Sequence, residues 1–177
     1  MVVKGLIAPK ISKAFEAAVE LRPDHIDSRN DLLQFYIEAP GFLGGSEEKA
    51  LEQAKAVEKL DGKQGIHSLG RVYNGTEQPE KAYEIFKRGM DEYPEERDFY
   101  FLAGYAAANL KQWDNAFAAF EALLEHDADA FGAQYQIGRL SALSGERLAL
   151  GEEALNTYLG HTPGDEEPSL DNAHWRL

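Results

Sequence analysis

The sequence predicts an all-α, right-handed solenoid built from repeated helix-turn-helix units. Gly70, Gly104 and Gly138 stand 34 residues apart. The first two are each followed twelve residues later by an alanine, and four residues after that by a phenylalanine. A fixed period between about 20 and 50 residues is typical of repeat proteins, whose units bury their apolar faces against neighbouring units. The period therefore indicates the fold class before any single helix is assigned.

The first element is predicted to be a half repeat over residues 9–25, a second helix without its first. Pro9 suits the first turn of this helix, and Pro23 ends it. Its apolar residues recur at helical spacing and so share one face. They are Ile11, Phe15, Ala18 and Val19.

A complete repeat follows over residues 26–62, with an insertion at residues 39–45. Tyr36 and Ala50 are fourteen residues apart, whereas the matching pair in the next repeat is nine apart. The extra residues form a loop of sequence APGFLGG between the two helices. This loop is the first departure from a regular array.

The loop contains two apolar side chains, Phe42 and Leu43, between glycines. We expect them to pack on the neighbouring helices, and the alternative is that they wait for a partner. The helix after the loop is predicted to begin with Ser46 as its capping residue and to end at Gly62. The loop is not a phosphate-binding loop, since it lacks the Gly-Lys-Ser/Thr ending.

The remaining repeats are predicted at residues 63–96, 97–130 and 131–165. The first two keep the period without gaps, and the third has one extra residue between its helices. Residues 166–177 are predicted to be a linker and the start of a further first helix, with Trp175 as its aromatic residue. We therefore expect four complete repeats flanked by half units.

Small residues are predicted at the helix crossings, because helices approach this closely only where a side chain is absent or a methyl group. They are Gly70, Gly104, Gly138, Gly151, Ala50, Ala82 and Ala116. Larger side chains fill the space beside them, namely Phe15, Phe86, Phe120 and Leu155. The first complete repeat differs, since Leu33 replaces the expected glycine and Ala54 the expected phenylalanine. An altered packing angle is expected there.

With glycine, alanine, phenylalanine and proline at these offsets, the chain resembles the tetratricopeptide-repeat family. The pattern is clearest over residues 69–96 (LGRVYNGTEQPEKAYEIFKRGMDEYPEE) and 103–130 (AGYAAANLKQWDNAFAAFEALLEHDADA). Members of this family are mostly protein-binding scaffolds. The resemblance implies that first helices line a concave surface, along which a partner lies as an extended peptide or helix.

The chain is acidic, with 18 Lys and Arg residues against 31 Asp and Glu residues and a net charge of −13. This charge repels phosphate backbones and anionic lipids, so nucleic acid and membrane surfaces are not expected partners. The absence of cysteine excludes disulfides, thiol catalysis and thiolate metal sites. No apolar run is long enough for a membrane span. We expect a soluble chain, either cytoplasmic or exported after removal of a signal peptide.

Two rows of side chains recur with the period on the first helices. The candidate partner-binding residues are Asn30, Gln34, His67, Arg71, Phe101, Tyr105, Tyr135 and Arg139. Aromatic residues and arginine dominate interface energetics, and arginine binds carboxylates in a bidentate manner. Alternatively, the aromatic rings only fill the inner curve and the arginines pair with local acids. The lysines of a co-chaperone carboxylate clamp are missing from these faces, which argues against that function.

No catalytic residue, metal site or cofactor is predicted, because the five histidines show no metal-ligand spacing and no nucleophile, base and acid set stands out. The predicted function is a non-catalytic scaffold for a protein or peptide partner. One alternative is a repeat domain that accompanies an enzyme or binds a small molecule or sugar. Another is end-to-end self-association, since both ends of the predicted array leave apolar residues uncovered unless the chain continues.

Overall fold

A computed structural model describes residues 2–165 and 167–177, with side chains from residue 10 onward. Met1 and Glu166, the latter in the predicted linker, lie outside the described residues. Within the described part every regular element is helical. None of its helices has both the length and the apolar character that a membrane crossing requires.

The chain divides into two compact units, Met1–Gly89 and Met90–Leu177. The first unit contains α1 (Val2–Leu21), α2 (Ile26–Glu38), α3 (Glu47–Leu60), α4 (Gly62–Gly75) and most of α5 (Pro79–Glu92), with a 3₁₀ helix at Gly41–Leu43. The second contains α6 (Arg97–Asn109), α7 (Trp113–His126), α8 (Phe131–Ser144), α9 (Leu148–Leu159) and α10 (Leu170–His174). Consecutive helices pack on one another within each unit, α1 to α4 in the first and α6 to α10 in the second. The predicted all-α class with helix pairing is confirmed.

Two predicted helix boundaries were wrong. Helix α1 begins at Val2 and continues through Pro9, because a helix can pass a proline with the loss of one backbone hydrogen bond. Gly62 does not end α3 but begins α4. Asp61 makes this change of direction: it caps the end of α3, and its carboxylate accepts a hydrogen bond from the Gln64 backbone N–H at 3.0 Å. That hydrogen bond lowers the pKa of Asp61.

The glycines of the repeat occupy the helix contacts that the sequence predicts for them. A methyl group at Gly104 would lie 2.5 Å from a ring carbon of Phe120. Methyl groups at Gly70 and Gly138 would collide with Phe86 and Leu155 in the same way. Contacts this short are not tolerated by real Cβ atoms, so each glycine is required for the approach of its partner side chain.

The period also appears in the backbone of the turns. Glu77 and Lys111, 34 residues apart, both adopt a φ of 58°, in the left-handed region. Each lies in the short turn between the two helices of a pair, Glu77 between α4 and α5 and Lys111 between α6 and α7. The repeat therefore specifies the turn conformation as well as the helix contacts.

The first complete repeat exchanges the large and small partners of this contact. Leu33 on α2 and Ala54 on α3 are both 0% exposed and belong to one apolar cluster. In the other repeats the glycine lies on the first helix and the large side chain on the second. Here the large side chain lies on the first helix and the small one on the second. The exchange keeps one large and one small side chain within the same apolar cluster.

The linker after α9 packs against α8 through a stacked histidine. The His161 ring lies parallel to the Phe131 ring, with centroids 4.1 Å apart and an angle of 8° between the planes. Its Nε2 lies 2.8 Å from Oε2 of Glu167. The Gly164 backbone N–H also donates to this oxygen, at 2.8 Å. The Glu167 carboxylate thus connects the backbone of Gly164 to the stacked His161 ring.

We predict that substituting both Leu33 and Ala54 lowers the free energy of unfolding by less than the sum of the two single substitutions. Leu33→Gly leaves a cavity and a helical glycine, at a cost of about 4 kcal/mol. Ala54→Phe overpacks the cluster, at a cost of about 2 kcal/mol. The double variant restores the arrangement of the other repeats and should recover at least about 1 kcal/mol of the sum. Urea denaturation measures the free energy of unfolding of the two single variants and of the double variant. If the two single losses add up to the loss in the double variant, the two residues do not pack in one space.

We also predict that Glu167 gives the folding stability a dependence on acid. The Gly164 N–H first, and then His161, lower the pKa of this carboxyl from its ordinary value of 4.5. The ionised Glu167 carboxylate therefore stabilises the folded state above pH 4.5, and this stabilisation is lost as the pH falls through the lowered pKa. Glu167→Gln should reduce the free energy of unfolding by about 1 kcal/mol at pH 7 and by less in acid. The exposed Glu152→Gln is the control, and a loss that stays constant down to pH 3 contradicts the prediction.

Candidate partner-binding site

Two of the candidate residues in the first unit are engaged in contacts between and along helices. Asn30 Oδ1 accepts a hydrogen bond from the Ser68 hydroxyl at 2.7 Å, and Ser68 is only 2% exposed. This bond ties α2 to α4, and a buried hydroxyl without it would be costly. Gln34 Nε2 donates to Glu38 Oε1 at 2.6 Å, one turn along the same helix. Both amides are thus already used within the unit.

The other two candidates of the first unit lie one turn apart on α4. His67 is half-buried and Arg71 is exposed. Within the described residues no carboxylate forms an ion pair with Arg71. The alternative, that local acids pair with the candidate arginines, does not hold for Arg71 within the described residues. Its guanidinium is available to solvent or to a partner.

In the second unit the candidate residues gather around a depression of about 400 Å³. Helix α6 contributes Tyr105, Ala108 and Asn109, and helix α8 contributes Tyr135, Gln136 and Arg139. Three of the four predicted residues of this unit, Tyr105, Tyr135 and Arg139, therefore line one surface. They come together because α6 and α8 are first helices of successive repeats.

Tyr105 is the aromatic residue that this depression exposes, with 38% of its surface accessible. Its ring packs against Phe101 and Phe120, with centroids 6.1 Å and 6.0 Å away. Burial raises the pKa of the Tyr105 hydroxyl, while the charge of Arg139 acts in the opposite direction. The hydroxyl is therefore neutral at physiological pH and can donate or accept a hydrogen bond.

Arg139 is half-buried and lines the depression beside this ring. Its Nη1 lies 3.5 Å from Oε1 of Gln136, and no ion pair of Arg139 occurs within the described part of the chain. Gln136 is only 7% exposed. The amide oxygen of a buried residue is thus within reach of one guanidinium nitrogen, and both residues line the depression.

Of the polar residues of this surface, Gln136 was not predicted, whereas the sequence places Asn109 on the same stripe without counting it among the partner-binding residues. Asn109 follows Tyr105 by one helical turn, so its place on the same face can be inferred from the 3.6-residue period. Gln136 offered no such signal, because a single sequence does not distinguish a buried glutamine from an exposed one. Its role depends on the packing of α8 against its neighbours.

Phe101 and Tyr135 contribute to packing more than to the accessible surface. Tyr135 is 5% exposed, with its ring centroid 5.3 Å from that of Tyr158. The guanidinium of Arg176 lies over the Tyr135 ring, 5.4 Å from the centroid. The Phe101 ring packs on Phe120 at 5.6 Å. Both rings therefore take part in the packing around the depression.

The expectation that Phe42 packs on neighbouring helices was wrong, since its side chain is 87% exposed. The loop forms a 3₁₀ helix, closed by hydrogen bonds from the N–H groups of Leu43 and Gly45 to the Pro40 carbonyl. Adjacent residues of a 3₁₀ helix point about 120° apart. Leu43 is half-buried, and the 3₁₀ helix contacts α1. With Leu43 turned inward, Phe42 is directed to solvent.

Among the described residues, no group of three or more His, Cys, Asp or Glu side chains is arranged to hold a metal ion.

Comparison with known proteins gives matches in structure rather than in sequence. No protein-family model and no curated protein matches the sequence. The crystal structure of MamA is similar over 93% of this chain and 85% of that chain, with 18% identity and a TM-score of 0.58. YrrB, described as a TPR protein with an unusual peptide-binding site, is similar over 93% and 80%, with 20% identity and a TM-score of 0.62.

TTC0263, a thermophilic TPR protein in Thermus thermophilus, is similar over 93% of this chain and 86% of that chain. Its identity is 20% and its TM-score 0.57. At this level of identity the likeness concerns the fold. Together with the 34-residue period and the glycine contacts, it shows that the chain has the tetratricopeptide-repeat fold.

Proposed function

We propose that this chain is a non-catalytic scaffold that binds a protein or peptide segment on the surface formed by α6 and α8. The observation that carries the proposal is the pair of Arg139 and Tyr105, a guanidinium with no acidic partner among the described residues beside a partly exposed ring. Arg71 on α4 of the first unit supplies a second exposed guanidinium, for which the described residues provide no acidic partner. Arginine and tyrosine are the side chains most often found at energetic centres of interfaces.

The partner group suited to Arg139 is a carboxylate. A guanidinium binds a carboxylate through two parallel N–H···O bonds, and partial burial strengthens the attraction relative to bulk water. The Tyr105 ring and the Ala108 methyl group lie beside it and suit an apolar side chain of the partner. The Asn109 amide can bond to the partner's main chain.

The shape of the surface favours a peptide segment over a compact ligand. Small-molecule sites are enclosed and bury most of their ligand. Here Tyr105 and Asn109 are exposed at the edge of the depression, so a bound group would remain open to solvent on that side. A chain that passes over the surface can place one side chain in the depression and continue along the helices.

The charge of the scaffold limits the partner further. With a net charge of −13, the chain repels a run of acidic residues at long range. A single carboxylate flanked by apolar residues avoids that repulsion and still reaches Arg139. The expected ligand is therefore an apolar segment with one acidic side chain or a terminal carboxylate.

The proposal predicts that Arg139→Ala weakens the binding of such peptides about tenfold. This is the effect of losing one charge-assisted hydrogen-bonded contact of about 1.5 kcal/mol. The measurement is fluorescence anisotropy with a library of synthetic apolar peptides that carry one carboxylate, with and without amidation of the acid. Arg71→Ala tests the first unit separately with the same peptides, and a loss of affinity there would assign Arg71 to binding as well.

The matched control is Arg22→Ala, which removes an exposed arginine at the end of α1. Equal affinities of the Arg139 and Arg22 variants would remove the α6 and α8 surface from the site. Light scattering of the peptide-free protein tests the alternative of end-to-end self-association. Binding of free sugars or other small molecules, with no peptide bound, would favour the small-molecule alternative instead.

A further inference from the structure

We propose that the second unit has another docking surface, an acidic groove between α7 and α9 that binds a basic, amphipathic peptide segment. The groove has a volume of about 470 Å³. Its lining residues are Glu121, Leu124, Glu125, Gln134, Ile137, Leu150, Glu153, Ala154 and Thr157. None of them lines the depression of Tyr105 and Arg139, so this inference does not depend on the proposed function.

The floor of the groove is apolar. Ile137 on α8 and Ala154 on α9 are almost fully buried, and the half-buried Leu124 and Leu150 extend the apolar surface on either side. Ala154 keeps the floor low where a larger side chain would fill it. An aliphatic chain can lie on such a floor and remove apolar surface from water.

The rim of the groove is acidic, with Glu121 and Glu125 on α7 and Glu153 on α9. Glu121 is bound by Arg147, whose Nη1 lies 3.1 Å from Oε1. Within the described residues no basic side chain forms an ion pair with Glu125 or Glu153. Two uncompensated carboxylates thus remain above an apolar floor.

Within the described residues the arginines of the second unit form no ion pair with Glu125 or Glu153, and Arg97 pairs with Asp127 instead. From Gln112 onward the basic residues are Arg139, Arg147 and Arg176. Arg139 lines the other depression. Arg147 bridges Asp114 and Glu121, and Arg176 lies over the Tyr135 ring. A basic partner would therefore supply the positive charge that complements Glu125 and Glu153.

A lysine or arginine side chain fits this combination of floor and rim. Its aliphatic stem packs along Leu124 and Leu150 while its charged end meets Glu125 and Glu153. Apolar neighbours in the partner would cover the remaining floor. The expected ligand is therefore an amphipathic segment with leucine-like residues on one face and basic residues along the border of that face. Its charge is opposite to that of the single carboxylate expected at Arg139.

The test uses the full chain and a fluorescent synthetic peptide of lysine and leucine, patterned as an amphipathic helix. Anisotropy titrations compare the wild type with Glu125→Gln/Glu153→Gln. The control is Glu146→Gln/Glu152→Gln, which removes two exposed carboxylates outside the groove and leaves the same net charge. Circular dichroism verifies that both variants are folded.

We expect the groove variant to bind about fivefold to tenfold more weakly, the effect of losing two partly exposed ion pairs. The control variant should differ from the wild type by less than about twofold, and added salt should weaken wild-type binding. Arg139→Ala should leave this binding unchanged, which separates the inference from the proposed function. Equal losses in the groove and control variants, or no binding of the peptide by the wild type, would overturn the inference.

Discussion

The contact between a glycine on one helix and a large side chain on the next is the constraint on which the structure depends. At Gly70, Gly104 and Gly138 the absence of a Cβ atom lets Phe86, Phe120 and Leu155 reach the helix backbone. Protein interiors are close-packed and cannot absorb one extra methyl group at such a point without movement. The contact thus sets how closely the two helices of each pair approach.

The same contact positions the candidate site. The Phe120 ring that lies on Gly104 also packs edge-on against Phe101 and Tyr105. Tyr105 is therefore held by the helix contact itself, with its free side turned toward Arg139 across the depression. The opposite side of α8 contributes Ile137 to the acidic groove. One packing arrangement presents two surfaces of different chemistry, a cationic one between α6 and α8 and an anionic one between α7 and α9.

The period was sufficient to predict the helix pairs, because it records a steric requirement that recurs at fixed spacing. Side chains whose role depends on a partner elsewhere were harder to predict. Asn30 bonds to a hydroxyl on α4, and Tyr135 is covered by Arg176 from a later segment. Phe42 is exposed because its loop turns as a 3₁₀ helix, a choice that composition does not reveal. Periodicity identifies a face, whereas these contacts decide which residues on it remain accessible.

The most direct test of this account is a double-mutant cycle on Gly104 and Phe120, followed by denaturant unfolding. Gly104→Ala alone should cost about 2 kcal/mol, since the new methyl group displaces the ring. In the background of Phe120→Ala the same methyl group has room, and its cost should fall by at least about 1 kcal/mol. Gly160→Ala, where the added Cβ meets only a backbone oxygen at 3.4 Å, serves as the reference for a tolerated glycine substitution. A Gly104→Ala cost that is the same in both backgrounds would contradict the account.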